Sequence, residues 1–223
     1  GDSAINTTVK LGGVMNIFNE GSAYKTTVSN GSMVVHGGMA SETTVSGGKL
    51  IIENKGIVSN TIISGGTMLI DSEGYAKGTV IYGSAGNINT AYIRGFATDT
   101  VISGGRVVVD SGGSANDIRI ETGWLNVSNG TANSICISSG GSMHLYSNAD
   151  VSDITLYSSG VMHVRENAVA SGIKNYDGIL YIWAGGQVFG TTLFGGRMDI
   201  QSGAEAINTT VSGGKTYIAS GAK

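Results

Sequence analysis

Two small sets of side chains in this 223-residue chain have spacings that could do chemistry. Glu53 and Asp71 lie 18 positions apart. If the chain repeats at that period they stack about 4.8 Å apart, which resembles the close carboxyl pair of a retaining glycosidase. No Lys, Arg or aromatic residue is found at matching positions, so two solvated turn carboxylates are expected. His144 and His163, followed by Tyr181 and Asp199, are related in the same way. Two imidazoles and a carboxylate could hold a metal or share a proton. With no third strong ligand adjacent, a ladder of side chains on an open surface is the expectation. Gly214-Lys215-Thr216 ends like a phosphate-binding loop, but the first glycine of that motif would fall at Thr209. Dinucleotide, zinc-protease, nucleophile-elbow and Asp-rich calcium motifs are all lacking. Neither a metal nor a cofactor is expected.

The more regular pattern is one of hydroxyls. Ser46, Ser64, Ser103 and Ser212 follow equivalent Thr-x-Val or Thr-x-Ile segments, joined approximately by Ser29 and Ser138. A second row comprises Ser72, Ser111, Ser202 and Ser220, with Ser128 and Ser147 nearby. Serine supports local backbone bonds in turns, and that alone could account for both rows. The alternative is a periodic set of modification sites on one side of the molecule.

The elements that would position these residues follow from composition and repetition. The chain has 37 Gly and no Pro, is 40% hydrophobic and 13% charged, and carries a formal net charge of −3. Lack of Pro excludes collagen, and the hydrophobic content excludes disorder. So much Gly beside Val, Ile, Thr and Tyr disfavours helices and favours strands with many turns. Scattered Lys and Arg give no nucleic-acid footprint. No apolar run is long enough for a spanning helix. Cys136 stands alone, which excludes a disulfide framework or a cysteine-rich zinc site.

Thr43-Thr44-Val45-Ser46-Gly47-Gly48-Lys49-Leu50 recurs with small changes at 61–68, 100–107 and 209–216. Weaker copies bring the units to twelve, starting at 7, 26, 43, 61, 79, 100, 118, 135, 154, 173, 191 and 209. A period near 18 is too short for a propeller blade or a helix pair. It fits one coil of a β-solenoid, read as two short strands and two turns, twelve of them stacked into a rod on the order of 55 to 60 Å long. Alternation within the second strand makes Met33/Val35, Leu50/Ile52, Met68/Ile70, Val107/Val109 and their counterparts the core. The residue between each pair faces outward: Val34, Ile51, Leu69 and Val108, then Asn126, His144, His163, Tyr181, Asp199 and Tyr217. The aliphatic part of that row is a candidate self-association face. Ala76, Ala115 and Ala206 suit a cramped inner corner. The long unit 79–99 carries Tyr82, Tyr92, Arg94, Phe96 and the loose Gly83-Ser84-Ala85-Gly86. It reads as a tolerated bulge or loop, or as a contact site for a ligand or partner.

On the Thr-x-Val-Ser-Gly-Gly-x-Leu units, the Asp-Ser-Gly-Gly-x-Ala turn at 110–115 and the period, the chain resembles the passenger repeats of AIDA-type self-associating autotransporter adhesins. The resemblance covers essentially all of it. It implies a right-handed parallel β-helix on the bacterial surface, reached through the outer membrane by a signal peptide and a C-terminal β-barrel translocator. It further implies adhesion, autoaggregation and biofilm formation, with a host cell surface or another copy as partner. O-linked heptose, added by a heptosyltransferase, would fall on the two serine rows. Glu121, Tyr157 and Tyr176 replace the first-turn serine, which interrupts that spacing. Residues 1–223 are therefore expected to be one β-solenoid domain, an excised piece of a longer passenger. A carbohydrate-active β-helix enzyme and an inert spacer stalk are the alternatives.

Overall fold

The computed structural model describes residues 1–84 and 87–223, and those residues form strands and turns with no helix. They build a parallel β-solenoid of about 12 turns. The first coil shows the plan, with short strands at Ser3–Ile5, Thr8–Val9 and Val14–Ile17. Each pairs in parallel with its equivalent one coil later: Ala4 with Ala23, Val9 with Val28, and Met15 with Met33. In the middle of the rod successive strands merge into runs such as Ile57–Ile70 and Phe96–Val109, which bend around the corners. A coil thus has three faces and three corners. The expected count of two strands missed the first ladder, whose members are only about three residues long.

The corner between the first and second ladders explains why. One residue there takes a positive φ in coil after coil: Asn6, Lys25, Glu42, Asn60, Gly78, Asp99, Asp117, Ser134, Asp153, Gly172, Gly190 and Asn208. Asn and Asp tolerate this left-handed region better than other non-glycine residues, but Lys25 and Glu42 carry no turn signature. A single left-handed residue redirects the strand without shifting its register, as in Lys77↔Thr98 and Thr79↔Thr100 flanking Gly78 and Asp99.

Three inward files fill the core. The first ladder contributes small side chains, among them Ala23, Ala40, Ala76, Ala97 and Ala115, all buried. The second contributes Val28, Val45, Ile63, Ile81, Ile102 and Ile120, and the third contributes the pairs read from the sequence, from Met33/Val35 to Met198/Ile200. Ala206 is only partly buried. Where the file of the second ladder reaches residue 175 it holds Asn. Its amide stays buried because it closes its own turn, accepting from the Gly178 N–H at 2.8 Å and donating to the Gly178 and Arg197 carbonyls. Backbone N–H groups at the corners also reach across coils, as from Ser29 to Val9 and from Thr44 to Thr26. A proline in such a coil would remove one of these bonds.

The long unit 79–99 leaves the solenoid as a small hairpin, in which Gly83–Ser84 pairs antiparallel with Asn87–Ile88. Ala85 and Gly86, part of the loose stretch read from the sequence, lie outside the described residues. The Asn89 side chain donates to the Tyr82 carbonyl at 2.7 Å and closes the base of the excursion. The chain then rejoins the third ladder at Thr90–Ile93, so Tyr92 lies between Leu69 and Val108. The outward row read from the sequence skipped that residue.

Candidate functional site

The two serine rows have different surroundings. In the first turn Ser46 and Ser64 are exposed, yet their hydroxyls donate to the Val28 and Val45 carbonyls of the preceding coil at 3.3 and 3.4 Å. They stitch coils together. Ser103 in the same row is half-buried and Ser212 is exposed. Further along, Tyr157, Tyr176 and Phe194 take this place, and their rings stack at 5.5 and 4.9 Å. Phe194 is a departure from the serine pattern additional to those read from the sequence. In the other row Ser72, Ser111, Ser202 and Ser220 are all exposed, two places beyond Ile70, Val109, Ile200 and Ile218. Ser111 itself has φ 51°. Ser128 falls one place short of this file and Ser147 falls within it.

The third ladder presents the broadest flat face. Val34, Ile51, Leu69 and Val108 are half-buried in its central file, with Tyr92 among them. Lys49, Thr67, Arg94, Ile51, Leu69 and Tyr92 border a shallow, mainly apolar groove on this face.

Beyond residue 126 the same file becomes aromatic. His144 stacks on His163 at 4.6 Å between centroids, and His163 stacks on Tyr181 at 5.0 Å. A parallel file one step along the coil holds Tyr146, Arg165 and Trp183, with the guanidinium 5.5 and 5.7 Å from the two ring centres. The Trp183 indole N–H meets His163 Nδ1 at 3.2 Å. Asp199 does not join the imidazoles. It is 3% exposed and receives two hydrogen bonds from Arg197, at 2.7 and 2.5 Å, and that pairing raises the Arg197 pKa above its ordinary value. The arrangement is an aromatic and cationic platform, in keeping with the expected surface ladder. Tyr146, Arg165 and Trp183 are legible by their spacings of 19 and 18, but only once the position after each core pair is aligned.

Both imidazoles are held neutral. Burial, then the neighbouring His144 and Arg165, lowers the His163 pKa to about 4, and burial with Arg165 lowers that of His144. A histidine whose folded pKa lies below its ordinary value leaves the unfolded chain binding more protons in the interval between them. The rod should therefore lose stability as pH falls from about 6.5 to about 4 and show no such loss above 7. Both rings are half-exposed and partly screened. The expected fall in Tm between pH 7.5 and 4.5 is on the order of 5 °C, and His163→Phe, which keeps the stack, should show a smaller one. An equal fall in that variant would place the effect elsewhere.

The carboxylates Glu53 and Asp71 do occupy equivalent places, but they are engaged separately. Glu53 Oε1 lies 2.7 Å from His36 Nδ1, and Asp71 accepts the Ser72 N–H at 2.9 Å within its turn. The expectation of no cationic or aromatic neighbours at matching positions is corrected. His36 pairs with Glu53 across the ladder, and Arg94 follows Asp71 one coil on, where it binds Asp110 at 3.0 Å. The sequence hid Arg94 because the insertion in this unit puts it 23 residues after Asp71, five places beyond the period of 18. Cys136 is half-buried, and burial raises its thiol pKa.

No protein-family model matches this chain, and no curated protein sequence matches it. Among solved structures it is similar to the TibC-catalyzed hyper-glycosylated TibA55-350 fragment, with a TM-score of 0.71 and 27% identity over 98% of this chain and 92% of that one.

Proposed function

We propose that this rod is the repeat region of an AIDA-type self-associating autotransporter passenger, a non-enzymatic adhesin displayed on the bacterial surface and modified with O-linked heptose. The observation that carries this reading is the likeness, over 98% of the chain, to a solenoid fragment that is itself hyper-glycosylated. The exposed file Ser72, Ser111, Ser202 and Ser220 supports it, because a transferase must reach each acceptor hydroxyl from solvent. Residues 1–223 are taken as one solenoid domain of a longer passenger whose β-barrel translocator lies elsewhere. A heptosyltransferase acts on it during biosynthesis, and a host surface or another copy meets it afterwards.

Both serine rows remain acceptors in this reading, with the second favoured because Ser46 and Ser64 already donate within the rod. Co-expression with a bacterial heptosyltransferase followed by intact-mass measurement tests it. Increments of one anhydroheptose are expected, with four of them lost when Ser72, Ser111, Ser202 and Ser220 become Ala. An unmodified mass in the parent chain would overturn the acceptor role. The same cells, carrying the passenger with Val34, Ile51, Leu69 and Val108 changed to Ser, should settle more slowly from suspension. Unchanged clumping would remove that face from the proposal.

A further inference from the structure

Rings stacked along the rod show solvent their edges, so an open ring face exists only where a stack ends. The aromatic platform ends at the coil carrying His144 and Tyr146. Those two rings lie side by side, 6.3 Å apart and within 16° of parallel. On one side they are covered by His163 and Arg165. On the other, Asn126 of the preceding coil lies beside His144, whose Nδ1 is buried, whereas Tyr146 meets only the small Ser128 and keeps an open face. A shallow, open cleft of about 310 Å³ lies at this step, lined by Ile88, Arg106, Trp124, Asn126, His144 and Tyr146.

The lining combines three kinds of recognition. Trp124 (40% exposed) and Ile88 (52% exposed), the latter carried by the hairpin of the irregular coil, add apolar walls to the Tyr146 face. Asn126 offers an amide that donates and accepts. Arg106 brings the cleft's formal positive charge. Among the described residues it has no ion-pair partner, and its buried Nε, like His144 Nδ1, has no hydrogen-bond partner. His144 Nε2 is held by the Ser142 hydroxyl at 3.0 Å, which fixes the ring in place.

From this combination we infer that the cleft binds an acidic saccharide, a pyranose whose apolar C–H face lies on Tyr146 and whose carboxylate meets Arg106. Flat aromatic faces suit the C–H side of a sugar ring. A planar guanidinium suits a carboxylate in a two-point geometry that an ammonium cannot reproduce. The irregular coil then has a role: its hairpin carries Ile88 out to border a cleft whose other walls come from the coils that follow. The inference is independent of the glycan-acceptor reading, and the protein used to test it carries no glycan.

The test is calorimetric titration of the full unmodified chain with tri-galacturonate and with neutral maltotriose, alongside the NMR signals of the Trp124 and Trp183 indoles. Tri-galacturonate should bind at least about tenfold more tightly than maltotriose and shift the Trp124 signal more than that of Trp183. Arg106→Gln should bring the two ligands to equal affinity, Arg106→Lys should restore part of the preference, and Trp124→Ala should abolish binding while Trp183→Phe preserves it. No heat and no Trp124 shift with either ligand overturns the proposal. So does equal binding of the two ligands by the parent chain, or binding that survives Trp124→Ala in a protein whose circular dichroism is unchanged.

Discussion

Gly48→Val is expected to lower the Tm of the rod by about 10 °C, and Gly112→Ala by less than about 4 °C. Both glycines have positive φ, 85° and 86°, so both substitutions impose left-handed strain of about 1–2 kcal/mol. They differ in what surrounds them. A Cβ at Gly48 would overlap the Gly31 carbonyl oxygen of the coil before it and crowd the Gly31 nitrogen, whereas at Gly112 it would meet nothing within 4 Å. Backbone cannot rotate aside as a side chain can, so the ladder between 31 and 48 must open. Branching at Cβ adds further strain, bringing the expected loss to roughly 4 kcal/mol. Thermal melts followed by circular dichroism decide the matter. Equal losses at the two sites would mean that dihedral strain alone governs these corners and that close approach of the coils does not.

Ile102→Ala should remove about 4 kcal/mol and Ile207→Ala less than about 1. Ile102 is fully buried, stacked between Ile81 and Ile120, and truncation leaves a cavity that stiff neighbouring ladders cannot fill. Ile207 is 41% exposed near the end of the rod. Urea denaturation should show a lower midpoint for Ile102→Ala with unchanged slope. Because a coil touches only its neighbours, amide exchange should quicken chiefly in coils 79–134. Quickening spread evenly over all coils would contradict nearest-neighbour coupling.

Those parts of the molecule that alternate are legible in the sequence alone. Met33/Val35 and Leu50/Ile52 are separated by one outward residue, and that period of two places both the core and the outward file. The first ladder is not legible. Its three-residue strands are too short to alternate, and its corner is turned by Lys25 or Glu42 as readily as by Gly78, so neither pattern nor composition marks it. Ala76 and Ala115 read as a cramped corner, which is correct as to space but misses their membership of a strand. Tyr92 and Arg94 are misplaced by spacing alone because the hairpin from Gly83 to Ile88 shifts them out of register, and only their return to the ladder makes them neighbours of Leu69 and Asp71. The aromatic platform is half-legible, through His144 and His163. The companion file of Tyr146, Arg165 and Trp183 lies beyond the core pair, where alternation ends and the turn begins.

The parallel ladders have a mechanical consequence. Strands run around the rod, so the hydrogen bonds joining one coil to the next, such as Thr27 to Thr7 and Ser29 to Val9, point along its length. Force applied end to end therefore does not shear a whole sheet at once. It peels the bonds of a single coil in turn, and each released coil of about 18 residues pays out roughly 60 Å of chain. A rod built this way yields in small steps and keeps its remaining coils folded, so a sudden end-to-end pull is absorbed as extension.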